Sequence, residues 1–321
     1  MIGNRENYAE APEQVGLDGE GERPIPDGHE FALLLTHDVD RPYKTYQYLY
    51  YALTDPENRW NHLSGLLSAE NPYWQFDRVT SIEDDLGVRS AFYLLDEQRL
   101  RDRSVREWVS KTGWQLFGGR YSLDDPAIRE LVQTLDDGGW EVGLHGSFES
   151  FDDPDRLAAE KGAVEAVLGD SVVGGRQHYL NLDAPVTWRI QRDLGLRYDA
   201  SLGSSDDYGF QHGYGLQRPF DDEFVVFPLT IMEQAIPDPG DSFDAAWTAC
   251  EETLQEAREN DAVMTILWHP RHFSERDFPG YGRLYRRLVE RALDLGAWVG
   301  SPGEFYERAA LDERPVGTGA D

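Results

Sequence analysis

Two aspartates stand one residue apart at the end of a short apolar run. Asp38 and Asp40 lie in the segment THDVD, residues 36–40, directly after FALLL, residues 31–35. A continuous apolar run of this length is typical of a strand buried on both faces, and in α/β folds chemistry gathers at the carboxyl ends of such strands. Two carboxylates at that place could serve one metal ion and one water molecule together. The plain alternative is a pair of solvated loop acids.

The same pattern recurs further along the chain, where a polar residue follows each of several apolar runs. These residues are His145, Arg176, His178, Asp199 and His269. The carboxyl ends of parallel strands meet at one rim, so all of them would converge there if the strands are parallel. One strand-end histidine is usually structural. Repeated occurrences on one side indicate a site.

The elements that would position these residues alternate between strands and helices. Strands are predicted at residues 88–95, 140–144 and 263–268, and helices at 126–136, 155–168, 186–194 and 285–295. This alternation predicts an α/β fold with parallel strands and right-handed crossovers, and the number of units favours a barrel. We expect an arm at 1–28, one barrel at 29–310 with insertions at about 41–80 and 204–227, and a flexible tail at 311–321.

Composition limits the classes of partner. The chain has 60 acidic and 30 basic residues and a net charge of −30, which disfavours binding to nucleic acid or anionic membranes. Scattered acids with few lysines resemble the cytoplasmic proteins of salt-accumulating halophiles. A single cysteine, Cys250, excludes an internal disulfide. No apolar stretch is long enough to span a bilayer, and no secretory signal is readable, so a cytoplasmic location is expected.

Five segments, in order along the chain, resemble the motifs of the polysaccharide deacetylases of the NodB-homology type, carbohydrate esterase family 4. THDVD at 36–40 resembles the first motif, normally Thr-Phe-Asp-Asp, and WEVGLH at 140–145 resembles the approach to the second. RQHY at 176–179 resembles the third, Arg-x-Pro-Tyr, YDAS at 198–201 the fourth, and ILWHP at 266–270 the fifth. The resemblance implies a distorted (β/α)7 barrel.

The resemblance also implies a reaction, the removal of an N-acetyl group from an acetamido sugar with the help of a divalent metal. Asp38 would be the base, oriented by Arg176, and His269 would be the acid that protonates the leaving amine. Asp199 would set the charge and tautomer of His269. The main-chain N–H near Tyr179 would donate to the oxyanion of the tetrahedral intermediate.

Two departures from the family pattern concern the metal, most readily zinc, with cobalt, nickel or manganese as alternatives. Val39 separates the two aspartates, which predicts a bulged turn and leaves open whether Asp38 and Asp40 exchange roles. The second motif has Glu149 where the family has a second histidine. Related proteins of surface-glycan clusters with similar segments favour Asp40, His145 and His178 as the metal ligands, with Glu149 as the alternative to His178.

The sequence therefore predicts a metal-dependent hydrolase acting on a polysaccharide, a glycan, or a lipid- or nucleotide-linked saccharide. Hydrolysis of another non-peptide C–N bond, or a metal-poor glycan-binding protein without activity, are the alternatives. The sugar, the metal and the oligomeric state stay open. His37 is expected to point away from Asp38, and His272 to lie on a loop surface. Trp60, Tyr73 and Trp74 are candidates for packing or for stacking on a sugar.

Overall fold

Nine parallel strands form one curved sheet in the part of the chain that the structure describes. The computed structural model describes residues 21–54, 59–65, 71–220 and 222–309, except the side chains of residues 61, 62 and 64. The strands are β1 (Phe31–Val39), β2 (Ala91–Leu95), β3 (Glu141–Gly146), β4 (Gly174–Gln177), β5 (Tyr198–Asp199), β6 (Val225–Val226), β7 (Leu229–Met232), β8 (Val263–Leu267) and β9 (Ala297–Gly300). Their order is β6-β5-β4-β3-β2-β1-β8-β7, and β9 also pairs with β1.

The two edge strands of this sheet are consecutive in the chain. β6 ends at Val226 and β7 begins at Leu229. A connection this short spans at most about 11 Å, so the sheet must curl until its edges come close together. The result is a distorted (β/α) barrel that is closed by the chain and not by strand pairing. The predicted α/β barrel is confirmed.

Helices connect the strands and cover the outer face of the sheet. They are α1 (Gln47–Thr54), α2 (Arg59–Gly65), α3 (Phe76–Leu86), α4 (Val105–Trp108), α5 (Lys111–Phe117), α6 (Pro126–Asp137), α7 (Pro154–Leu168), α8 (Val186–Asp193), α9 (Phe243–Glu259), α10 (Tyr281–Asp294) and α11 (Pro302–Arg308). The side chains of Asp125 and Asp153 accept hydrogen bonds from the first turns of α6 and α7, and a proline follows each aspartate. A cap residue followed by proline starts a helix, and the predictions at 126–136, 155–168 and 186–194 are confirmed.

Side-chain alternation along β1 separates two environments. Leu33 and Leu35 pack outward against the helices, whereas Ala32 and Leu34 face the barrel interior with Tyr93 and other apolar residues. The predicted bulge is absent, because residues 36–39 of β1 pair in regular register with residues 91–94 of β2. Side chains two residues apart share a face of a strand. Asp38 therefore lies on the interior face, and His37 lies on the outer face.

The predicted terminal segments fall largely outside the described residues. Residues 1–20 of the expected arm and the tail at 311–321 are not among them. In the described part of the arm, Glu22 forms an antiparallel bridge with Leu216. No helix in the described ranges is long and apolar enough to cross a bilayer.

Candidate active site

The structure brings most of the predicted polar residues to one rim, at the carboxyl ends of the strands. Asp38 lies near the end of β1 and Asp40 directly follows it, His145 lies near the end of β3, and Arg176 lies in β4. His178 and His269 follow β4 and β8. All of these side chains belong to residues no more than 8% exposed. A cluster of ionisable groups this deeply buried needs partners, and those partners determine its chemistry.

Asp38 is held by a cation on one side and faces a histidine on the other. Its Oδ1 accepts a hydrogen bond from Arg176 Nη1 at 2.8 Å, and its Oδ2 lies 3.7 Å from His145 Nε2. Burial raises the pKa of Asp38, but the charge and hydrogen bond of Arg176, with smaller effects of nearby histidines, outweigh burial and leave the pKa below its ordinary value. Asp38 is therefore an ionised carboxylate, and the hydrogen bond from Arg176 fixes its orientation.

His145 presents a lone pair to Asp38. Its Nδ1 donates to the carbonyl oxygen of Arg176 at 2.9 Å, which leaves Nε2 as the acceptor nitrogen when the ring is neutral. Burial lowers the pKa of His145, so the neutral ring is favoured. The imidazole and the Asp38 carboxylate thus present acceptors to one space at the rim, an arrangement that fits a bound water molecule.

Asp40 is surrounded by guanidinium groups. Arg271 Nη1 donates to its Oδ1, and its Oδ2 lies 3.9 Å from Arg120 Nη1 and 4.0 Å from Arg41 Nε. Burial raises the pKa of Asp40. The charge of Arg271, with smaller contributions from other nearby cations, holds that pKa well below its ordinary value. A small cleft lies over both aspartates and is lined in part by Arg41, Phe76 and Arg271.

His178 is buried beside Arg120. Arg120 Nη2 donates to His178 Nε2 at 3.2 Å, and His178 Nδ1 lies 3.6 Å from Glu97 Oε2. Burial and the charge of Arg120 hold the pKa of His178 well below its ordinary value, so the ring is neutral. Burial also lowers the pKa of Arg120 to about 10, which leaves the guanidinium charged at neutral pH.

His269 is paired with a glutamate that the sequence analysis missed. Its Nδ1 lies 2.6 Å from Glu233 Oε1, and Glu233 is fully buried as the first residue after β7. Burial raises the pKa of Glu233, but its close contacts with the His269 and His272 rings hold it well below its ordinary value. The ionised Glu233 therefore fixes the Nδ1–H tautomer of His269 and leaves Nε2 for proton transfer.

Asp199 was expected to play this part, and the structure differs from that expectation. Its carboxylate accepts from Trp188 Nε1, Gln191 Nε2 and Ser201 Oγ, at 3.1, 2.8 and 2.6 Å. These hydrogen bonds tie the end of β5 to α8. Asp199 therefore contributes to the wall of the barrel, and Glu233 takes the position next to His269.

His272 was predicted to lie on a loop surface, and this prediction is wrong. It is 4% exposed and packs on Phe278 and Tyr281, with its Nδ1 2.8 Å from Glu233 Oε1. The short helical segment that follows β8 turns residues 269 and 272 toward the same carboxylate. Burial lowers the pKa of His272 to about 4, so this ring is also neutral.

The predicted metal ligands do not fit a divalent cation as they are arranged. Among the described residues, Glu233, His269 and His272 alone form a group of three whose donor atoms all lie within 4.8 Å of one another. Asp40, His145 and His178 do not, and neither does the set with Asp38 in place of Asp40. In the Glu233 group, the 2.6 Å contact is a direct hydrogen bond. Tetrahedral zinc would separate its donor atoms by roughly 3.3 Å.

The alternative ligand, Glu149, lies outside the cluster. Both of its oxygens accept from Arg103, at 2.6 and 2.8 Å, and Arg156 Nη1 donates to it at 2.8 Å. Its side chain is 39% exposed. Glu149 therefore belongs to a surface ion-pair network and not to the rim.

The chain bends sharply after His178. Tyr179 and Leu180 have φ angles of 59° and 52°, a left-handed conformation that costs non-glycine residues about 1–3 kcal/mol each. The Tyr179 ring packs on His178 with a centroid separation of 4.5 Å. This strained turn is where the sequence predicted a main-chain donor for an oxyanion.

His37 lies on the outer face of β1, as expected. Its ring is fully buried, its Nε2 lies 3.0 Å from Glu83 Oε1, and it packs on Phe92 and Tyr285. Of the aromatic candidates, Tyr73 is 1% exposed and Trp60 is 79% exposed. Tyr73 is therefore core, and Trp60 lies on the surface.

Three functional candidates at the rim were missed in the sequence. Glu233 follows LTIM, residues 229–232, a short apolar run that the sequence analysis does not predict as a strand and that forms β7. The rule that found the other residues would have found Glu233 as well. For Arg120 and Arg271 the sequence offers no comparable signal, because neither directly follows a strand.

Neither known protein families nor curated proteins give a match to this sequence. Several solved structures, however, are similar to this protein in fold. A putative polysaccharide deacetylase from Mycobacterium smegmatis is 18% identical with a TM-score of 0.56, and 90% of this chain and 95% of that chain are covered.

Two further solved structures are similar over the same share of the chain. Puue allantoinase is 10% identical with a TM-score of 0.56, covering 90% of this chain and 93% of that one. A probable polysaccharide deacetylase from Pseudomonas aeruginosa PAO1 is 11% identical with a TM-score of 0.54, covering 90% and 94%. At these identities the likeness shows the fold. The chain therefore has the polysaccharide deacetylase fold, as its motif resemblance implies.

Proposed function

We propose that the protein hydrolyses the N-acetyl amide of an acetamido sugar, in a polysaccharide, a glycan, or a lipid- or nucleotide-linked saccharide. One observation carries the proposal. An ionised Asp38, oriented by Arg176, shares the rim of a deacetylase fold with His269, whose tautomer Glu233 fixes. A carboxylate base and a histidine acid on one rim are the groups that amide hydrolysis requires.

The reaction follows from the protonation states of these groups. Asp38 takes a proton from a water molecule as the water oxygen attacks the acetyl carbonyl carbon. The C–N bond of the tetrahedral intermediate then breaks. His269, which carries protons on both ring nitrogens in this step, gives the Nε2 proton to the leaving nitrogen and keeps Nδ1–H on Glu233. Asp38 then releases its proton to solvent and His269 takes one up, which restores both groups. The products are acetate and the free amine. The strained turn at Tyr179 is our candidate for presenting a main-chain N–H to the oxyanion.

No metal takes part in this scheme. A divalent metal would polarise the carbonyl and acidify the attacking water in a related deacetylase site. Two of the three residues that the sequence predicted as its ligands, Asp40 and His178, are engaged with arginines instead. Acetate release is therefore measured both in the presence of a chelator and with added zinc.

A second candidate is the hydrolysis of another non-peptide C–N bond, and the likeness to Puue allantoinase favours it. That likeness has the same TM-score, 0.56, as the likeness to the Mycobacterium smegmatis protein. The same base and acid could serve a ureide, because both reactions add water to a carbonyl and protonate a leaving nitrogen.

The test measures acetate release from free, nucleotide-linked and lipid-linked N-acetylhexosamines, and ring opening of allantoin, at high salt. We expect acetate release that Asp38→Asn and His269→Gln abolish. Asp124→Asn is the matched control, because the Asp124 side chain is 87% exposed and pairs with surface Arg129. Ring opening without acetate release would support the second candidate function, hydrolysis of another non-peptide C–N bond. Neither product above the Asp38→Asn background would contradict both.

A further inference from the structure

Arg120 lies among the residues that the sequence predicted as metal ligands. Its Nη1 donates to the Asp40 carbonyl oxygen at 3.0 Å and lies 3.9 Å from Asp40 Oδ2. Its Nη2 lies 3.2 Å from His178 Nε2. The guanidinium thus contacts two of the three predicted ligands at once.

The contact with His178 uses the lone pair that a metal would need. Arginine has only hydrogen-bond donors, so His178 Nε2 must be the acceptor. The proton of the ring is then on Nδ1, on the side of Glu97. A nitrogen that accepts from Arg120 cannot bind a metal at the same time, and the two modes of binding exclude each other.

Arg120 is fixed in this position by the backbone around it. Its Nε donates to the carbonyl oxygen of Leu116 at 2.6 Å, and Nη2 also donates to that of Gln115 at 3.2 Å. Both carbonyls belong to the last turn of α5. The Arg120 side chain is only 1% exposed. A buried guanidinium with this many acceptors cannot swing away without giving up its own hydrogen bonds, which buried donors need.

The charges around Asp40 point the same way. Arg271 and Arg41 also approach its carboxylate, so Asp40 already has more than one positive neighbour. A divalent cation beside the Asp40 carboxylate would be repelled by three guanidinium groups that already offset the carboxylate's charge. Zinc sites are instead built from donors whose lone pairs are free.

We infer that the guanidinium of Arg120 occupies the cation position between Asp40 and His178, so that this half of the rim is built without a divalent metal. Arg120 is then a positioning residue. It holds the Asp40 and His178 side chains, which a bound metal would otherwise hold. The inference rests on the proposed function only for its consequence that turnover needs no added metal.

The test is a titration of the full chain with Co²⁺ and Zn²⁺ after chelator treatment, with metal content and the visible Co²⁺ spectrum as readouts. We expect the wild type to bind no metal at Asp40 and His178. Arg120→Ala should bind one equivalent, at least about tenfold more tightly than the wild type, and the added His178→Ala substitution should abolish that gain. Arg129→Ala, which removes an exposed arginine, should behave as the wild type.

Two further variants show which residues bind any metal that the wild type does take up. A metal lost with His178→Ala and kept with His272→Ala would overturn the inference. A metal lost with His272→Ala and kept with His178→Ala belongs to the Glu233 group and leaves Arg120 in place, as inferred. Failure of a folded Arg120→Ala to gain metal would also overturn it.

If Arg120→Ala does not fold, the wild type still decides the matter. Nitrogen-15 NMR of the His178 ring should show the Nδ1–H tautomer, unchanged by zinc. An Nε2–H tautomer, or a shift of Nε2 on adding zinc, would contradict the inference. None of these readouts depends on turnover, so absence of deacetylation would refute the proposed function and leave this result standing.

Discussion

Asp38 and Asp40 lie two residues apart on one face of β1, yet their surroundings differ. Asp38 has one arginine, Arg176, and faces the lone pair of His145. Asp40 has three arginines within 4.0 Å of its carboxylate. The difference teaches that identical side chains at one strand end can be divided between proton transfer and the support of the site. The two roles differ because later strands and loops bring different side chains next to each aspartate.

The largest expected effect is on catalysis, at Asp38. Asp38→Asn removes the base, and kcat/KM for acetate release should fall by about 10²- to 10⁴-fold. The measurement is steady-state kinetics on protein shown to be folded by circular dichroism. Asp40→Asn, assayed in parallel, should lose less activity than Asp38→Asn. An Asp40→Asn variant that loses more would show that the two aspartates exchange roles.

The next effect is on stability, at Asp40. Asp40→Asn leaves three guanidinium groups without their shared carboxylate, and breaking such a buried ion pair costs about 3–5 kcal/mol. Urea unfolding at constant high salt measures the free energy of unfolding. Asp124→Asn is the control, since a surface pair contributes about 0–1 kcal/mol. An Asp40→Asn loss no larger than that of the control would mean that the arginines are not held by Asp40.

A smaller effect concerns pH and the His272 side of the rim. Burial lowers the pKa of His272 to about 4, against an ordinary value of 6.5. The neutral ring therefore contributes stability that is fully present above about pH 6.5 and is lost as the pH falls toward 4. At pH 5 the loss is about 2 kcal/mol.

Unfolding curves at pH 7.5 and pH 5 in the same salt check this, with His272→Gln as the comparison. Burial also lowers the pKa values of His145 and His178, so His272→Gln should remove part of the pH dependence and not all of it. Asp40 does not contribute in this range, because its lowered pKa places its titration below pH 4. Equal slopes for wild type and variant would contradict the burial of a neutral His272.

The smallest effect is expected at Glu149, which lies on the surface and outside the rim. Glu149→Gln weakens surface ion pairs with Arg103 and Arg156, and we expect a stability loss of about 0–1 kcal/mol and unchanged acetate release. Kinetics and urea unfolding test both. A large loss of activity that added zinc restores would show that Glu149 is a metal ligand after all.

Much of the rim could be predicted because one local rule applies to it. Asp38, His145, Arg176 and His269 each come near the end of a readable apolar strand, and the structure places them on one rim. Glu233 obeys the same rule but was missed, since β7 is only 4 residues long and emerges from a long connection. The expected partner of His269 was therefore wrongly taken to be Asp199.

Some features had no local signal. His272 lies in the short helical segment after β8, and its burial comes from the packing of Phe278 and Tyr281 around it. Arg120 follows α5 and is remote in sequence from both Asp40 and His178. Contacts between residues so far apart in the chain depend on how the whole barrel closes.

The sequence by itself determined the α/β barrel, the rim and the types of most groups on it, because strand periodicity and turn residues are local properties. The tertiary structure decided which group each carboxylate meets. It set Glu233 beside His269, placed Arg120 between Asp40 and His178, and left Asp38 facing His145. Electrostatic partners act over a few ångströms in space, whatever their separation along the chain, so only the folded barrel could assign them.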